Sequence, residues 1–308
     1  MEENSSSKDR DWQGVALVLT GAILFSAKAV VVKLTYKYPL GALTSLFFRM
    51  VFAFPFLVWI AYREEKKPDA KRIQGNDWIH IILMGIVGYY LASLFDFIGL
   101  QYISAGLERI ILFIYPTLVV VLSFFVYGHR IQKKEWISLL LTYTGVGIAY
   151  SQDLQFGKAK DVSLGAFFIL LSALTYSIYL MGSGKIIPRI GAERFTAYAL
   201  AISSLVVFFH FALVGSYAEL YQPKEFYALA LLLGTLNTVV PAVFVSLGIK
   251  RVGSKTAAII GSVGPMSTLF LAYWFLGESI TFLHIIGTLF VLSGVFLISQ
   301  KKISNADR

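Results

Sequence analysis

Most of the pattern in residues 103–150 returns over residues 252–299. Adding 149 to each number carries Pro116 onto Pro265, Gly128 onto Gly277 and Gly145 onto Gly294 without an insertion. The match continues backwards through the preceding apolar segment, where Gly85 falls on Gly234, Phe95 on Phe244 and Gly99 on Gly248. A chain that repeats at so long a period consists of two related halves, and its fold must accommodate one pattern twice.

The solvent of those halves follows from how little polar surface they offer. At 57% hydrophobic and 15% charged residues, the chain cannot cover a water-soluble globule of 308 residues. A bilayer core takes roughly 20 apolar residues per helix. Runs of that kind predict ten helices, at about 12–34, 40–62, 77–99, 104–127, 132–151, 162–185, 192–215, 226–249, 254–276 and 280–299. The expected fold is an all-α integral membrane protein: two five-helix halves at 12–151 and 162–299, with polar tails at 1–11 and 300–308. The first tail, mixed in charge, reads as disordered. The longest connection, 63–76, is charged and solvated. With no Cys, the chain has neither disulfides nor thiolate metal sites. Its pI near 9.5 comes from bases in short loops, the footprint of membrane topology and not of nucleic-acid binding.

Nineteen Lys and Arg residues fall on the side that carries both termini, against five on the other, Lys33, Lys37, Lys158, Lys160 and Lys224. The positive-inside rule places both termini in the cytoplasm. Five helices per half is an odd number, so the second half enters from the opposite face and the halves form an inverted repeat. The turn after the fourth helix, HRIQKK, is basic, whereas its counterpart ESITFL has no base.

This layout resembles the drug/metabolite transporter superfamily, in particular its ten-helix members built from two EamA-type repeats. Residues 252–299 carry the resemblance: small residues entering a helix, Pro265 at mid-helix, the Gly277-Glu278 turn, then a Gly-punctuated last helix. It covers nearly the whole chain after residue 11 and implies a transporter of the cytoplasmic membrane, with export of a metabolite, amino acid or drug favoured over uptake. The first half departs from the family at His129, where the turn Glu usually stands, and this favours a structural role for that acid. Residues 96–109 resemble one bacterial branch of the family.

Five ionisable residues fall inside predicted helices: Lys28, Arg49, Asp96, Glu108 and Arg109. A mid-bilayer charge costs at least ~2.5–3.5 kcal/mol, so such residues normally face a cavity and pair. At a rise of ~1.5 Å per residue, Arg49 lies ~13 Å from the outer end of its helix, Lys28 ~9 Å, and Asp96, Glu108 and Arg109 ~4–8 Å. The matching second-half positions, Tyr179, Ala199 or Leu200, Val245, Ala257 and Ala258, are uncharged, which makes the polar site asymmetric. Lys28 either snorkels along its own stem or faces the cavity. Asp96, Glu108 and Arg109 form either an outer-rim network or, where burial raises a carboxyl pKa, a coupling site for a proton. Arg49 stays protonated and reaches neither surface easily, which points to substrate or cavity water. Together Lys28 and Arg49 suit a carboxylate or a zwitterion.

The other candidates are polar or aromatic. Asn237 offers a ligand or an interhelical hydrogen bond. Tyr89, Tyr90 and Tyr176, with Tyr115 and Tyr179, offer aromatic walls for a solute. Pro55, Pro116, Pro241 and Pro265 each remove a helix hydrogen bond, and the symmetric pair Pro116 and Pro265 supplies hinge candidates. His80 and His210 have no partners at metal-ligand spacing. Nothing points to an enzyme or a cofactor: GSGK at 182–185 lacks the earlier Gly and the following Ser or Thr of a phosphate-binding loop. The expected activity is secondary transport of a small organic solute by two rocking halves, in a monomer or homodimer. A lipid-headgroup flippase-like protein and a non-transporting scaffold are the rival readings.

Overall fold

The computed structural model describes residues 2–299 other than 69, 71, 129, 130, 157, 158 and 185; at 2–11, 156, 159, 160, 254, 255, 258 and 299 it describes the backbone alone. His129 and, among the bases counted for topology, Lys71, Arg130, Lys158, Lys185, Lys301, Lys302 and Arg308 therefore lie outside the described residues.

Among the described residues the chain is helical, with no strand. The long segments are α1 (Glu2–Thr35), α2 (Ala42–Glu65), α3 (Gly75–Leu100), α4 (Ala105–Tyr127), α5 (Lys133–Phe156), α6 (Ala159–Ser183), α7 (Ala192–Val214), α8 (Lys224–Gly253), α9 (Ile259–Leu276) and α10 (Phe282–Ser299). Eight of them, all but α5 and α10, contain spans long and apolar enough to cross a membrane, and Phe282–Ile298 in α10 is a shorter apolar helix. The helix α1 begins at Glu2, ahead of the apolar span that opens at Trp12, where the sequence suggests a disordered tail. Extending a formed helix costs little once its first turn exists.

The two halves break their helices at matching places. In α3 the stretch Ile86–Leu91 is π-helical, and in α8 so is Thr235–Val239, whose first residue is 149 further on. In α4 the helix stops at Leu112 and restarts at Tyr115, with Pro116 in the new first turn. In the second half a helix ending at Gly261 is followed by one starting at Gly264, with Pro265 in its first turn. Both prolines thus differ from the mid-helix sites read from sequence. Proline has no N–H to give, so a first helical turn accommodates it without losing a bond. Both restarted helices end on a left-handed glycine, Gly128 at φ 66° and Gly277 at φ 68°, a conformation that a side chain disfavours.

Packing repeats with the same symmetry. α3 lies antiparallel on α6, and α8 lies antiparallel on α1. A Cβ added at Gly99 would stand 3.0 Å from the carbonyl of Gly165, and one at Gly248 would stand 3.0 Å from that of Gly14. Small residues here let the backbones meet, the usual source of helix attraction where lipid removes a hydrophobic driving force. Two contacts are self-paired across the halves, α2 with α7 and α5 with α10. Between them the bundle keeps a cavity.

Candidate functional site

The cavity holds about 640 Å³ and takes its walls from both halves. One end is charged, with Lys28, Arg49, Asp96 and Arg109. From there it runs toward the end where α8 and α10 finish and α9 begins, between Val18, Ile249, Ile259 and Ile298. Most of the wall is apolar or aromatic, with Phe25, Tyr89, Phe113, Tyr115 and Tyr176 on it.

Four of the embedded charges form one cluster. Lys28 Nζ stands 2.7 Å from Asp96 Oδ2 and 3.9 Å from Glu108 Oε1. Arg109 Nε lies 3.8 Å from Glu108 Oε2 and donates to Thr268 Oγ1 at 3.1 Å. The other side of the same guanidinium, Nη2, donates to the Phe25 carbonyl at 2.9 Å. Asp96 is 2% exposed and Glu108 0%. Asp96, Glu108 and Arg109 thus form, with Lys28, a buried cluster that joins α1, α3, α4 and α9. Lys28 reaches an acid on a neighbouring helix, and that carboxylate compensates its charge locally.

Arg49 stands apart. Its Nε donates to Thr238 Oγ1 at 2.9 Å and its Nη1 to Ser93 Oγ at 3.0 Å. The guanidinium carbon lies 5.6 Å from the centre of the Phe97 ring. All three partners are neutral, and among the described residues no carboxylate comes within ion-pair distance of this group. Both hydroxyls come from segments tied to the helix breaks: Thr238 sits in the π-helical turn of α8, and Ser93 follows that of α3. A π turn inserts a residue and re-aims the side chains around it, a device frequent at functional sites.

The remaining candidates divide. Tyr89 and Tyr176 line the cavity, with Tyr179 behind them; the Tyr89 and Tyr179 hydroxyls are 2.9 Å apart. Tyr90 does not line it, and its hydroxyl meets His210 Nδ1 at 2.9 Å. Asn237 is buried between helices, its Nδ2 donating to the Leu24 carbonyl at 2.7 Å, so it serves the α1–α8 contact and is absent from the wall. Pro116 is on the wall at the break of α4. Ser93, Phe97, Thr238 and Thr268 escaped the sequence reading, since a lone Ser or Thr in an apolar helix gives no signal until its partner is known.

A second cavity, of about 490 Å³, lies at the opposite end and is bordered by Lys33, Asp153, Glu278 and His284. Its polar groups are engaged locally. Glu278 accepts from the backbone N–H of Ala105 at 2.9 Å and of Gly106 at 3.3 Å, capping α4. Asp153 accepts from Ser104 N at 3.3 Å and contacts His284 Nε2 at 2.9 Å. Lys33 donates to the Ile103 carbonyl at 2.6 Å. The turn acid thus has the structural part that the sequence favoured.

Two helical halves around a charged, partly aromatic cavity in an apolar bundle are the architecture of a multi-pass membrane carrier. The chain belongs to the EamA-like transporter family, which it matches over residues 12–151 and 163–300. It is 30% identical over 312 residues to the uncharacterized transporter YcbK of Bacillus subtilis, covering 96% of each chain. It is 24% identical over 284 residues to an uncharacterized transporter of Archaeoglobus fulgidus, covering 91% of this chain and 95% of that one. A solved structure described as a crystal structure of protein aligns with a TM-score of 0.58 at 18% identity, over 92% and 95% of the two chains, which supports the fold. The family is one of transporters and not of enzymes.

Proposed function

We propose that this protein is a secondary transporter of the cytoplasmic membrane that carries a small organic solute with an anionic group, and that Arg49 is the group that holds the anion. The observation that carries this reading is the state of Arg49: a guanidinium on the cavity wall, 6% exposed, bonded to neutral hydroxyls alone. Asp96 acts on this charge only from beyond ion-pair distance, and a solute carboxylate would supply a direct partner through a two-pronged hydrogen bond. Lys28 is already matched by Asp96, so it tunes the field of the cavity more than it competes for the anion. Tyr89 and Tyr176 supply the walls for the organic part. Ten spans, with both termini in the cytoplasm, agree with the count of basic residues, and the family resemblance favours export. The paired breaks before Pro116 and Pro265 are the places where the halves would flex as they rock.

The test is accumulation of solutes from a whole-cell metabolite extract in proteoliposomes, read by mass spectrometry for wild type, Arg49→Ala, Arg49→Lys and empty vesicles. A solute taken up by wild type, lost in Arg49→Ala and partly kept in Arg49→Lys is the expected result. Equal uptake by wild type and Arg49→Ala removes Arg49 from the site.

A further inference from the structure

Three carboxyl oxygens in the charged cluster, Asp96 Oδ1 and both oxygens of Glu108, are buried without a hydrogen-bond partner. The two carboxyl groups face a single ammonium, Lys28 Nζ, at 2.7 and 3.9 Å. Two ionised carboxyls cannot bond to each other, for neither has a proton to give. The cations do not resolve this. Lys28 is spent on Asp96 at 2.7 Å and stays 3.9 Å from Glu108, while the Arg109 fork is turned to Thr268 and the Phe25 carbonyl.

We infer that Asp96 and Glu108 form a proton-binding site, in which one proton carried by Glu108 is donated to Asp96 Oδ1. That proton satisfies an orphaned oxygen on each residue at once. The bond is between a neutral acid and a carboxylate, the strong kind of hydrogen bond. The charged and titratable groups facing the pair are Lys28 and Tyr36 from α1, Arg49 from α2 and Arg109 from α4 itself. From α9 the cluster receives Thr268. Asp153 and His284 pair with each other at Ser104, one turn before Glu108.

The site lies beside the solute cavity, since Lys28, Asp96 and Arg109 stand on its wall. Taking up the proton raises the charge of that wall by one, in a place that already holds Lys28, Arg49 and Arg109. A bound anion and the bound proton then stabilise each other, and the coupling is reciprocal.

The experiment is infrared spectroscopy of the full-length protein in lipid at neutral pH, in H2O and in D2O, which reads the C=O stretch of protonated carboxyls and needs no solute. Wild type is expected to show such a band, sensitive to deuteration. The band should vanish in Glu108→Gln and shift in frequency in Asp96→Asn. Absence of the band in wild type, or its persistence in Glu108→Gln, would overturn the site. Thermal unfolding supplies the second reading. Glu108→Gln presents an amide N–H where the acid has its proton, and should melt within a few degrees of wild type. A Glu108→Gln protein that fails to fold would mean that an ionised Glu108 is required beside Arg109, and would also overturn the inference.

Discussion

The Nε of Arg49, on the second helix of one half, donates to the hydroxyl of Thr238, in the π-helical turn of the other half, at 2.9 Å. The same hydroxyl donates to the Leu233 carbonyl at 2.8 Å. Thr238 thus fixes the guanidinium with an oxygen that is itself fixed by its own helix.

Thr238→Val keeps the shape of this residue and removes the oxygen. Hydrogen bonds to charged groups are worth about 1.5–3 kcal/mol, or roughly 10- to 100-fold in affinity. Solute uptake in proteoliposomes should show a half-saturating concentration raised by that order, with the protein inserted and folded as before. Unchanged uptake would mean that Arg49 is held by Ser93 and Phe97 alone.

Lys28 and Asp96 form a buried pair, and breaking such a pair from one side costs more than removing it whole. Lys28→Met and Asp96→Asn should each destabilise the protein by about 3–5 kcal/mol, while the double variant recovers a large part of the loss. Melting in detergent across the four proteins reads the coupling directly. Additive losses would show that the two charges are solvated independently.

Glycines on α5 separate contact from composition. A Cβ at Gly145 would come within 2.5 Å of the Gly287 carbonyl, whereas one at Gly147 meets nothing within 4 Å. Gly145→Ala should cost about 1–3 kcal/mol by forcing the helices apart. Gly147→Ala should be neutral or mildly stabilising, as alanine is the better helix former. Thermal midpoints of the two variants give the comparison.

Glu278 reaches from the α9–α10 turn to the first N–H groups of α4. Glu278→Ala leaves those donors without a partner and should lower stability by about 1 kcal/mol, the usual value of an N-terminal cap. Solute affinity should stay within a few-fold of wild type, because the acid lies away from the Arg49 cavity. A loss of affinity with intact stability would assign Glu278 to transport.

The repeat made the fold legible. Pro116 with Pro265, Gly128 with Gly277 and Gly145 with Gly294 mark breaks and contacts that recur in three dimensions. Depth along single helices read the charges less well. Distance to helix ends places Asp96, Glu108 and Arg109 but not their partners: Lys28 comes from a helix remote in sequence, and the four close on one another. Tyr90 and Asn237 could not be told from cavity residues because the π-helical turns shift the phase of α3 and α8 at those positions. Residue type announces a bulge of that kind only weakly, since its cause is the packing around it.

The seam between α5 and α10 reads alike from both directions: Gly145 sits on the Gly287 carbonyl, and Gly287 on that of Gly145, at 2.5 and 2.7 Å for an added Cβ. Each half thus offers the other the same surface, a small residue set against a carbonyl, so that a side chain added on either helix would push both apart.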